Sequence, residues 1–181
     1  MSNRVIRIND YKFSSADRVL FDANVWLYIY GRQEDMSPRN RSTYTLALQR
    51  IRSAGGPIYL DGLVLSEFIN AYARFVYNKL PVESKPAEFK KFRDSAAFKP
   101  IAGKIARQAR KILKKCQRTE SGFETVELEA TLTEYAKGGA DFNDMILAEL
   151  CKAKGLKLVT HDSDFKGEDI TILTANGKLL S

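Results

Sequence analysis

LVTHDSDF, Leu158 to Phe165, runs an apolar segment straight into two aspartates. Its reading decides the fold. Asp and Ser favour turns by bonding their own backbone, so a strand followed by a turn would account for these residues alone. What precedes them says more: DFNDMILAELCKAKG, Asp141 to Gly155, has acidic residues in its first turn, Lys152 and Lys154 in its last, and a glycine where a helix cap belongs. The order is therefore helix, LKLVT strand, carboxylate, and ITILT follows as another strand. RVLFDANVWLYIY, Arg18 to Tyr30, repeats the pattern near the N-terminus. Its strand over Arg18–Phe21 ends in Asp22, and a helix opens at Ala23.

Between these anchors, Arg32 to Asn40, with Pro38, reads as loop, and Thr43 to Ala54 shows helical spacing through Leu46, Leu48 and Ile51 until GGP stops it. IYLDG reads as strand and turn. LVLSEFINAYARFVY reads as a helix with Ser66 as candidate N-cap and with Phe68, Ile69, Tyr72, Phe75 and Val76 at helical spacing. Tyr72, Phe75, Tyr77 and Trp26 read as core rather than as platforms for bases. Gly103 to Gln117 is an amphipathic basic helix, and Glu120 to Ala136 is acidic and mildly helical before Gly138 and Gly139 break it. Strands alternating with helices imply an α/β fold with a central, mostly parallel sheet flanked by helices, in which ligands bind outside the carboxyl ends of the strands. Asp22 and Asp162 would share that edge, with Glu67 and Asp144 brought there near helix starts.

The chain's 181 residues suit one domain over 1–181. Cys116 and Cys151 follow no metal-ligand spacing and one histidine cannot complete a zinc set, so a zinc enzyme is not expected and both cysteines read as reduced thiols. No segment resembles a secretory signal or a membrane span, and the expectation is a cytoplasmic protein without membrane contact. The net charge is +7, but Lys79 to Arg118 holds 13 basic and 3 acidic residues while everything else is net acidic by 3. A basic helical insertion at about 79–118 thus stands apart from acids free to gather elsewhere. Along it, Lys111, Lys114, Lys115 and Arg118 are candidates for tracking RNA phosphates; a solvated helix face is the plainer alternative.

Four carboxylates in one crevice repel one another unless a cation sits among them, and all-oxygen ligation selects Mg2+ or Mn2+. Taken singly, Asp22 and Asp162 also fit turns, and Glu67 and Asp144 fit first-turn helix acids.

VLFDANVWL, LVLSEF and NDMILAELCKAKGLKLVTHDSDF, in this order, resemble the PIN-domain family, and in particular its VapC-like ribonuclease toxins. The last block is the specific part, with Asp144, Gly155, Thr160, Asp162 and Phe165 in register. The resemblance implies a metal-dependent endoribonuclease, the toxin of a type II toxin-antitoxin pair, blocked by an antitoxin and often homodimeric. It implies Asp22, Glu67, Asp144 and Asp162 as metal-site and catalytic acids, supported by Asn24 and Thr160. Asp141 and Asp164 are candidates for a second ion or a bound water, with capping and turn roles as alternatives. His161 departs from the basic residue common at its place and is expected to be an exposed loop side chain without an acid-base role. Two rivals remain: a phosphatase with Asp22 as nucleophile, disfavoured because Asn24 replaces the usual second aspartate, and a catalytically idle RNA-binding or assembly module of the same fold.

Overall fold

The computed structural model of the chain describes residues 4–31, 37–139 and 141–181. Six strands, Arg4–Arg7 (β1), Val19–Phe21 (β2), Ile58–Leu60 (β3), Gln117–Arg118 (β4), Lys157–Val159 (β5) and Thr171–Thr174 (β6), form one sheet in the order β1-β6-β5-β2-β3-β4. Every pairing is parallel. The helices are Ala23–Tyr30 (α1), Pro38–Ser53 (α2), Gly62–Asn78 (α3), Phe89–Arg93 (α4), Phe98–Leu113 (α5), Leu128–Tyr135 (α6), Phe142–Lys154 (α7) and Gly177–Leu180 (α8). This is the helix-flanked α/β architecture that the alternation implies.

The central strands are apolar runs because both of their faces are covered. Val19, Leu20, Phe21, Leu158, Val159, Ile172 and Leu173 have no exposed surface. They join one core with Trp26 and Ile29 of α1, Tyr44 and Ile51 of α2, Phe68 and Tyr72 of α3, Leu147 and Leu150 of α7, and Ile105, Ala109 and Ile112 from the apolar face of the basic α5. Strand β2 pairs with β3 on one side and with β5 on the other, so the strand order reverses at β2. A crevice opens above the carboxyl ends at such a reversal. Asp22 directly follows β2, and Asp162 comes three residues after β5.

Boundaries differ from the sequence reading where capping chemistry or edge pairing decides. Helix α3 starts at Gly62 because Asp61 caps it, accepting from Leu63 N at 2.6 Å; Ser66 is already inside. Helix α2 begins at Pro38 in the favoured N1 position with Ser37 as N-cap, so Pro38–Asn40 are helical rather than loop. The rest of that expected loop, residues 32–36, lies outside the described residues. The basic helix starts earlier and stops at Leu113; Gln117–Arg118 leave it to pair with the open edge of β3. Helix α7 ends as expected at Gly155, whose φ of 60° is open to glycine and lets the chain turn directly into β5.

Candidate functional site

The site grows from one hydroxyl. Thr160, fully buried just past β5, donates to Asp22 Oδ2 at 2.7 Å and accepts from the Asp162 amide at 2.9 Å and from Asn24 Nδ2 at 3.2 Å. Its one donor and two acceptor positions are all used. Asn24 Nδ2 also donates to Asp22 Oδ2 at 2.5 Å, and its Oδ1 accepts the His161 amide at 3.1 Å. The ends of β2 and β5 and the first turn of α1 are thereby locked together. This is a supporting shell for carboxylates, of the kind that orients metal ligands through their neighbours.

Around it the acids converge from separate elements. Carboxylate oxygens of Asp144, in the first turn of α7, and of Asp162 and Asp164, in the loop after β5, lie within 4.8 Å of one another. Asp164 also donates its amide to Asp162 Oδ1 at 3.1 Å. Asp22 and Glu67 stand outside that tight trio but within its field. Burial pushes the Asp22 carboxyl up to about 6; the Thr160 hydrogen bond works against the rise, and the Asp162 charge adds to it. Asp144 is pushed up to about 7, first by burial and then by Asp22, Asp162, Glu67 and Asp141. Glu67, in the second turn of α3, is likewise pushed up to about 7 by the protein around it and by Asp22, Asp141 and Asp162. Its side chain is exposed, so solvent screens this rise, and its direction matters more than its size. Asp141 is the exposed N-cap of α7, accepting from Asn143 N at 2.8 Å while adding its charge to the cluster.

These five carboxylates plus Asp141 offer oxygen alone, the donor set of a hard divalent cation. Each raised acid would return towards its ordinary value if such an ion neutralised the cluster. The residues fit the group they were expected to hold. The cysteine thiols offer nothing comparable: burial pushes both Cys116 and Cys151 up to about 12.

Other expectations change. His161 is half-buried rather than an exposed loop residue. Its ring contacts the Tyr44 hydroxyl at 2.8 Å and Asn40 Nδ2 at 3.3 Å, and its carbonyl accepts from Asn176 at 2.7 Å. The local sequence around His161 does not show this, because Tyr44 and Asn176 come from distant elements.

Of the candidate RNA track, Lys111, Lys114 and Lys115 are placed away from the acids. Lys114 and Lys115 precede β4 at the end of the sheet where strands begin. Lys115 lines a recess of about 580 Å3 with Ile29, Tyr30 and Arg52, beside the end of α1 remote from Asp22. Lys111 lies one turn earlier on α5, whereas Arg118, paired with Leu60, ends β4 at the carboxyl edge of the sheet, exposed on the outermost strand. What the sequence reading missed is nearer: Arg74, Lys90 and Arg93 line a groove of about 780 Å3 together with Glu67 and Asn143. Glu67, Asn70 and Arg74 fall three and four residues apart on α3, a spacing that could have pointed there.

Comparison with known proteins agrees with this layout. The family model described as PIN domain matches residues 19–168. Among solved structures, the chain is similar to VapBC2 from Rickettsia felis bound to a DNA fragment from their promoter, with a TM-score of 0.54 at 15% identity, covering 87% of this chain and 98% of that one. It is also similar to PAE2754 from Pyrobaculum aerophilum, with a TM-score of 0.51 at 15% identity, covering 96% of this chain and 94% of that one. At such identity these two likenesses concern the fold. No curated protein sequence gives a significant match.

Proposed function

The chain belongs to the PIN-domain family, and from that premise we propose that it is a metal-dependent endoribonuclease hydrolysing RNA phosphodiester bonds. The observation that carries this reading is the convergence of Asp144, Asp162 and Asp164 within 4.8 Å at the reversal of strand order, inside the field of Asp22 and Glu67. Asp22, Glu67, Asp144 and Asp162 would hold Mg2+ or Mn2+, with Asp164 and Asp141 placed to take part in a second site. When bound, such an ion polarises a phosphate oxygen and lowers the pKa of an attacking water. The chain's own contribution is placement. Thr160 and Asn24 fix the Asp22 carboxylate, and the Asp162 backbone is fixed through the same hydroxyl. The helix caps at Asp61 and Asp141 set the directions in which Glu67 and Asp144 leave α3 and α7.

The biological setting is the toxin of a type II toxin-antitoxin pair acting in the cytoplasm. The likeness to a VapBC2 complex supports an antitoxin partner, and a homodimer is part of the same proposal. We take residues 1–181 as one PIN-like domain with the basic helices as an insertion, since α5 shares the common core. Among the described residues, no helix is long and apolar enough to cross a membrane.

The direct test incubates the purified chain with a structured RNA pool and Mn2+, with and without excess EDTA. Cleavage should require the ion. Cleavage that persists under chelation would remove the metal mechanism, and binding without any cleavage would favour an idle module.

A further inference from the structure

The cations beside the acidic cluster carry charge that no carboxylate among the described residues neutralises. Arg74 on α3 and Lys90 and Arg93 on α4 are exposed, and among the described residues no carboxylate pairs with any of them. Glu88, which lines the groove with Glu67, is instead paired with Lys91 at 3.1 Å. The Arg74 guanidinium lies 4.8 Å from the centre of the Phe89 ring, which restrains the group without neutralising its charge. Lys90 and Arg93 lie three apart on α4 and therefore share a face. Arg74 is seven residues beyond Glu67, about 10 Å further along α3. The charge of the groove therefore changes sign along its length, acidic where Glu67 stands and basic towards Arg74, Lys90 and Arg93.

Resting on the nuclease reading, we propose that this groove between α3 and α4 holds the phosphates flanking the cleaved bond of a single-stranded RNA. A polyanion that must present one phosphate to a metal-laden acidic cluster needs cations for its neighbours, and these three are the free ones contiguous with Glu67. Asn70, Ser66 and Asn143 line the same groove and add neutral hydrogen-bonding groups suited to sugar and phosphate oxygens. Arg74 points the assignment to phosphate rather than base, because its partner ring is already occupied by the guanidinium. An acidic peptide fits less well, since it would carry its carboxylates up to Glu67 without an ion-binding phosphate to follow.

The test measures binding of a labelled single-stranded oligoribonucleotide to the full chain in EDTA across a salt series, with cleavage in Mn2+ followed in parallel. Replacing Arg74, Lys90 and Arg93 by Gln should weaken binding and reduce the salt slope by about 2, at roughly 0.7 per phosphate contact on a single strand. Lys90→Gln with Arg93→Gln, which leaves the Arg74–Phe89 contact intact, should reduce it by about 1.4 on the same basis. Replacing Lys111, Lys114 and Lys115 by Gln, the same loss of charge away from the groove, should reduce the slope by less than the groove variants do. Equal losses in the groove and Lys111 variants would mean that net charge alone binds RNA, and the groove assignment would fall. Unchanged slope and affinity in the groove variants would also overturn it, giving the groove to another partner. If wild type cleaves RNA while those variants bind normally, only the groove fails; if wild type neither binds nor cleaves RNA, the nuclease reading fails with it.

Discussion

Asp17 and Asp22 are five residues apart at opposite ends of β2, both nearly without exposed surface, and their environments drive them in opposite directions. At Asp17 burial alone would raise the pKa, but Lys157 Nζ at 2.8 Å, the Tyr11 hydroxyl at 2.5 Å and Ser14 N at 2.7 Å overcome it and bring the carboxyl down to about 2. At Asp22 burial wins, and the nearest charges are like charges. The first arrangement fastens the N-terminal segment to the start of β5 and is complete within the chain. The second is incomplete, and a cation would complete it. Two carboxylates flanking one strand thus separate a structural clamp from a site built to receive something.

The largest effect that could break this contrast is catalytic. Losing an outer partner of a metal ligand costs about 10- to 100-fold in affinity or activity, so Asp22→Asn or Asp144→Asn should reduce RNA cleavage by no less than about 100-fold. The metal-free fold should be at least as stable as wild type, because a strained like charge is removed. Turnover and thermal midpoints without metal are the measurements. Both substitutions being strongly destabilising, with cleavage retained in the folded fraction, would make these residues structural caps and erase the distinction from Asp17.

The next effect is on stability. Asp17→Asn should cost about 2 kcal/mol near neutral pH, the free energy of lowering a carboxyl from 3.8 to about 2, while the folded fraction keeps cleaving RNA. The pH dependence sharpens the comparison. A depressed folded pKa stabilises above the unfolded value and loses that contribution as pH falls, so the Asp17 term should vanish between about pH 4 and 2. A raised folded pKa does the reverse: metal-free protein should lose stability as pH rises from about 4 towards 6 through Asp22, and up to about 7 through Asp144 and Glu67. Mg2+ should flatten that second limb and leave the first untouched. Chemical denaturation over pH, with Mg2+ or EDTA, would read both limbs; a metal-independent neutral limb would count against ion binding by the cluster.

Much of the architecture was legible because it rests on local chemistry. An apolar triplet followed by Asp22, and Gly155 between a helix and LKLVT, mark element ends whatever the rest of the chain does. The acidic residues were legible for the same reason, since strands and helices that end or begin at one sheet edge bring Asp22, Asp162 and Asp144 there. Arg4–Arg7 and Gln117–Arg118 were not, because these short edge strands owe their conformation to the neighbours β6 and β3 rather than to their own pattern. The position of the basic segment was not legible for a related reason. Periodicity defines which face of α5 is charged but says nothing about which end of the sheet it approaches, and that was set by the return into β4. Arg74 keeps helical spacing from Glu67 and Arg93 lies in the basic run of α4, but only the folding of α4 against α3 joins them.

His161 is the smallest test and the one that separates holding the site from acting in it. Its ring is half-buried between Tyr28 and Tyr44, and burial lowers its pKa from 6.5, with the Asp162 charge opposing. It is therefore neutral at pH 7, with one ring nitrogen facing the Tyr44 hydroxyl and the other facing Asn40. No ring nitrogen is left for a reacting proton. Its contact with the acidic centre is through backbone, the amide bonded to Asn24 Oδ1, which a side-chain substitution keeps. His161→Gln should then cost about 1 kcal/mol, the net worth of a hydrogen bond. It should also remove a stabilising contribution that wild type loses as pH falls below about 6.5, because a base with a depressed folded pKa binds its proton better when unfolded. Cleavage should stay within a few-fold, with the same pH profile. A lost limb in that profile, with stability unchanged, would make His161 a proton-transfer group and would extend the chemistry of this site beyond its carboxylates.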